Sequence, residues 1–76
     1  MNILNYKGFV ITETQYIEPQ HPQYNYLGFK ATNDVGQSIE AAFHDIDLRT
    51  KTYHELLDIF LKRLDEFIEE ISHHEN

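Results

Sequence analysis

The spacing of apolar residues along the chain changes once. Up to about residue 44 they alternate with polar residues or gather in short β-branched and aromatic runs, and from Thr52 onward they recur every third or fourth position. Alternation places successive side chains on opposite faces of a strand, whereas a period near 3.6 gathers them on one side of a helix. The change predicts a strand-rich first half and a helical second half.

The run from Tyr6 to Tyr16 (YKGFVITETQY) predicts a strand over about residues 6–16, ending before Pro19 and Pro22. Phe9 and Ile11 then share one face, and Val10, Thr12 and Thr14 the other. Two more strands are predicted at about 24–32 and 37–44. Between them Asn33-Asp34-Val35-Gly36 suits a type I turn with Gly36 in the left-handed position of a bulge. The three-residue loop fixes the pairing. Ala31 faces Ile39, Phe29 faces Ala41 and Leu27 faces Phe43 on a wholly apolar side, while Lys30 faces Glu40, Gly28 faces Ala42 and Tyr26 faces His44 on the other. A slip of one residue mixes the two sets.

Asp45 to Lys51 reads as a connection. Thr52-x-x-Glu55 has the form of a capping box and predicts a helix over about 53–72, with a frayed tail at 73–76. Tyr53, Leu56, Leu57, Phe60, Leu64, Phe67, Ile68 and Ile71 form the stripe that faces the sheet. Ile59 and Leu61 lie about 100° to either side of Phe60, outside that stripe, and are candidates for self-association. The expected fold is α+β: a three-stranded antiparallel β-meander followed by one long C-terminal α-helix packed on one sheet face, β-β-β-α, in a single domain over 1–76.

Composition narrows the function. Thirteen acidic against 6 basic side chains give a net charge of −7, which repels phosphate backbones and makes direct nucleic-acid binding an unfavoured expectation. With no cysteine there is neither a disulfide nor a thiolate metal site. MNILNYKGFV lacks a basic segment followed by a long apolar core, and no apolar run is long enough for a bilayer, so the expectation is a soluble cytoplasmic protein. A chain of this size buries only about 60% of its unfolded surface, which favours self-association into a dimer.

Catalytic signals are weak. FHDID brings His44, Asp45 and Asp47 together in sequence, but neighbours on a strand point to opposite faces, and turn capping explains them better than a site. His21, His54 and the His73-His74-Glu75 tail read as solvated positions. There is no glycine-rich phosphate loop, no HExxH and no G-x-S-x-G. The expectation is a protein without catalytic activity, metal or cofactor.

Two features point to a partner. Asp65, Glu66, Glu69 and Glu70 follow Arg63 near the helix C-terminus, where negative charge opposes the macrodipole and helix stability gives no reason for it. The sheet face away from the helix carries Tyr24, Tyr26 and His44 with small residues between, a composition suited to contact. The expected function is binding of another protein with a basic surface, as an inhibitor of phage or mobile-element origin covering a nucleic-acid-binding surface would, or an antitoxin or immunity protein. The alternative is a sheet-type nucleic-acid-binding module.

Overall fold

In the computed structural model the described residues run from Asn2 to His74, and among them four strands and two α-helices follow in the order β1 (Asn2–Tyr6), β2 (Phe9–Tyr16), β3 (Tyr26–Thr32), β4 (Ser38–His44), α1 (Asp45–Thr50) and α2 (Tyr53–His74). The strands form one antiparallel sheet in the order β1-β2-β3-β4, and α2 packs on one face. The α+β class and the meander are as expected. The strand count is four rather than three.

The extra strand arises at Lys7-Gly8. Both residues have positive φ, 50° and 85°, the geometry of a two-residue turn whose twist matches the strands it joins. The run expected as one strand over 6–16 therefore folds back on itself, pairing Tyr6 with Phe9, Asn5 with Val10 and Leu4 with Ile11. A bulge between Asn2 and Leu4 interrupts the ladder near its open end.

The β3-β4 hairpin has the expected register, with Ala31–Ile39, Phe29–Ala41 and Leu27–Phe43 on one face and Lys30–Glu40, Gly28–Ala42 and Tyr26–His44 on the other. Gly36 takes φ 84°. Asn33 organises the turn, its Oδ1 accepting from the amides of Val35 (3.2 Å) and Gln37 (2.9 Å). The strand expected to start at 24 starts at Tyr26, because Pro22–Tyr24 makes a single 3₁₀ turn.

Asp45–Thr50, expected as a connection, is a short helix. Its support is local: Arg49 pairs with Asp45 and Lys51 with Asp47, both at 3.2 Å and four residues apart, with both carboxylates in the first turn where the helix dipole favours them. Then the capping box closes as predicted. The Thr52 amide donates to Glu55 Oε1 (2.9 Å) and the Glu55 amide to Thr52 Oγ1 (3.2 Å). Helix α2 continues past the expected end at 72, so His73 and His74 belong to it, and residues 75 and 76 of the expected tail lie outside the described residues.

The core is a layer of Phe9, Ile11, Leu27, Phe29, Ala31 and Phe43 from the sheet against Leu56, Phe60 and Leu64 from α2. Phe29 is its centre, with ring contacts to Phe43 (6.3 Å), Tyr53 (5.8 Å) and Phe60 (5.6 Å). At 22 residues α2 is about 33 Å long, while four strands span only about 15 Å. Its flanks therefore reach both outer strands: Arg63 stacks over Phe43 of β4 at 5.9 Å, and Asp65 meets Tyr6 of β1. Ile59 and Leu61, four residues before each of these, are half-buried against the same core. The apolar width of the helix matches the width of the sheet.

Candidate functional site: the open face of the sheet

The face of the sheet away from α2 is organised in rows by the strand register. Tyr16, Tyr26 and His44 form one row, Thr14, Gly28 and Ala42 the next, and Thr12, Lys30 and Glu40 the third. Between the outer two rows the small middle row leaves a shallow concavity of about 410 Å³.

Gly28 makes this floor. It sits in a strand paired on both sides, and its φ is not in the left-handed region. A Cβ added there meets the Thr14 carbonyl oxygen at 3.7 Å and that of Ala41 at 3.8 Å, ordinary van der Waals distances. Neither conformation nor crowding calls for glycine, although glycine in a strand interior costs about 0.5–1 kcal/mol relative to alanine. What its missing side chain does is keep the floor low, as at places where a ligand or another backbone comes close.

The aromatic row is ordered. Tyr16 and Tyr26 stack with centroids 5.9 Å apart and planes at 15°, and His44 lies 6.3 Å beyond Tyr26. The Tyr16 hydroxyl donates to Glu18 Oε2 at 2.9 Å, a bond that raises the phenol above its usual pKa, and the Glu18 amide donates to Asn25 Oδ1 at 2.6 Å. A carboxylate is thus fixed beside the stacked rings. At the opposite wall Lys30 and Glu40 face each other in register, but no ion pair joins them among the described residues.

The residues expected to bind a partner separate onto two surfaces. Tyr26 and His44 lie on the open face, while Tyr24, 60% exposed, sits in the 3₁₀ turn beside His21 rather than in the aromatic row. Glu66, Glu69 and Glu70 are exposed on α2, on the opposite side of the sheet, with Glu69 3.8 Å from His73. Asp65 is engaged within the fold: its carboxylate accepts from Lys7 Nζ (2.7 Å) and the Tyr6 hydroxyl (3.0 Å), contacts that lower its pKa, Lys7 foremost. One contact cannot use both surfaces.

The FHDID residues disperse in the same way, His44 onto the open face and Asp45 and Asp47 into pairs within α1. Among the described residues no group of three His, Asp or Glu side chains is placed to hold a metal ion, and no helix is long and apolar enough to cross a membrane. Tyr16 and Glu18 were not among the residues expected on this face, and Gly28 was expected there only as one of the small residues between the larger ones. The signal for Gly28 was present: a glycine in mid-strand with no turn to make.

Neither a protein-family model, nor a curated protein, nor a solved structure matches the chain.

Proposed function

We propose that the protein is a non-catalytic interaction protein whose open sheet face docks on a cationic segment of another protein. The observation that carries this reading is Gly28, a mid-strand glycine that the fold does not require and that keeps the floor of the concavity low. The walls suit an arginine or lysine side chain. The Tyr26 ring, stacked on Tyr16, stands at one end of the concavity and Glu40 offers a carboxylate at the other.

Electrostatics supports the same class of partner. Of the 6 basic side chains, Lys7, Arg49 and Lys51 are held by aspartates of the chain itself, so the net charge of −7 is presented largely as exposed carboxylates. Such a field speeds encounter with a basic surface and repels nucleic acid. Proteins with basic surfaces of this kind commonly use them for nucleic acid, and covering one fits an inhibitor, antitoxin or immunity protein.

The stacked Tyr16–Tyr26 pair favours a second reading, a platform for single-stranded bases. Lys30 is the one Lys or Arg on the open face among the described residues, too little cation to hold a phosphate backbone. Panning a random peptide library on the wild-type chain and on Gly28→Val separates the readings. Enrichment of Arg- or Lys-bearing peptides on the wild type alone, weakened by salt, supports the protein-binding reading. Absence of any Gly28-dependent peptide, or retention of a single-stranded oligonucleotide at low salt, overturns it.

A further inference from the structure

The two outer strands of the sheet are treated differently. The β1 edge is broken by a bulge between Asn2 and Leu4, a common device against edge-to-edge pairing, while β4 pairs regularly with β3 from Ser38 to His44 and carries neither proline nor lysine. The turn amide of Asn33 donates to the Gln37 carbonyl, which sets the phase of the antiparallel ladder. Ile39, Ala41 and Phe43 direct their backbone groups to β3. Ser38, Glu40 and Ala42 direct theirs outward and are exposed, and His44, also exposed, is the N-cap of α1.

We propose that β4 pairs antiparallel with β4 of a second copy about a twofold axis at Ala42, joining two sheets into one of eight strands. The register follows from the side chains. An axis at Glu40 sets two carboxylates directly opposite each other, which is unfavourable. An axis at Ala42 sets each Glu40 opposite His44 of the partner copy on the open face, and each Ala41 opposite the partner's Phe43 on the helix face, small against large. The smallest side chain of the outward set lies on the axis itself. The same edge-to-edge arrangement keeps both open faces on one side and brings the two Gly28 concavities into one continuous surface, and the flank of α2 bearing Ile59 and Arg63 lies on the β4 side in each copy.

The absence of cysteine gives a clean test. Across a hydrogen-bonded antiparallel pair Cα atoms are about 5.5 Å apart, within disulfide range. Under mild oxidation Ala42→Cys is expected to give a covalent dimer of twice 9.1 kDa, and Ala41→Cys is not. Light scattering on the unmodified chain at high micromolar concentration is expected to give the same doubled mass. Ala42→Pro, which removes an amide that β3 does not use, is expected to keep the far-ultraviolet spectrum and reduce the mass to one chain; Glu40→Lys alone weakens the dimer and Glu40→Lys with His44→Glu restores it. A wild-type chain that stays at 9.1 kDa, a dimer that survives Ala42→Pro, or crosslinking at position 41 instead of 42 overturns the proposal.

Discussion

The phenol of Tyr6 and the carboxylate of Asp65, 59 residues apart in sequence, meet at 3.0 Å, and the ammonium of Lys7 closes on the same carboxylate at 2.7 Å. One aspartate thereby ties the first hairpin to the middle of α2. Lys7 holds a left-handed φ of 50°, a conformation that favours glycine or asparagine, and its side chain reaches Asp65 from that turn.

Asp65→Asn is therefore expected to lower the melting temperature modestly at neutral pH. The Asp65 carboxyl lies below its ordinary value of 3.8 in the folded chain, with the Lys7 hydrogen bond as the main cause and that from Tyr6 next. A depressed carboxyl contributes stability above the unfolded value and loses it as pH falls through the folded one. Thermal unfolding followed from neutral to strongly acid pH should show the difference between wild type and Asp65→Asn shrinking toward zero. A difference independent of pH contradicts the assignment.

Tyr53 behaves in the opposite sense. Its hydroxyl donates to Glu13, and burial first, then that bond, raise the phenol from 10.0 to about 12. A raised pKa gives stability that is complete below the unfolded value and is lost as pH climbs through the folded one. Tyr53→Phe keeps the ring contact with Phe29 and should cost about 1 kcal/mol, the usual net value of such a bond. In an ultraviolet titration it should also remove the last tyrosine to ionise.

The start of α2 depends on Thr52. Thr52→Ala deletes the acceptor for the Glu55 amide and should cost about 1 kcal/mol, a fall of roughly 4–8 °C in a domain of this size. Thr52→Ser should restore most of it. Equal melting temperatures for Thr52→Ala and wild type would show that the cap is energetically silent.

Gly28 separates folding from function. Since a Cβ there makes only ordinary contacts, Gly28→Ala should stabilise the chain by about 0.4–1 kcal/mol through loss of unfolded-state entropy. Denaturant titration measures it. Destabilisation by more than this amount would mean that glycine is needed for the fold, removing the reason to read it as a docking feature.

The parts of the fold that depended on pattern were legible in the chain. Register between β3 and β4 followed from an apolar set that only one alignment keeps together, and the α2 start followed from a two-residue capping signature. The strand over 6–16 was misread because its β-branched and aromatic composition outweighed Lys7-Gly8, whose turn takes its geometry from positive φ at both residues. The helix at Asp45–Thr50 was missed because it is too short to show a period; its evidence lies in charges four apart, Asp45 with Arg49 and Asp47 with Lys51. The acidic helix end looked uniform in sequence. Only three dimensions separate Asp65, held by the first hairpin, from Glu66, Glu69 and Glu70 in solvent.

The docking role of the open face is tested most directly by mapping amide resonances of the isotope-labelled chain during titration with an arginine-bearing peptide selected on it. Shifts are expected to centre on Thr14, Tyr26, Gly28 and Ala42 and to be lost in Gly28→Val, with Glu66, Glu69 and Glu70 unmoved. Shifts confined to the outer side of α2, or the same sheet shifts in Gly28→Val, would contradict it.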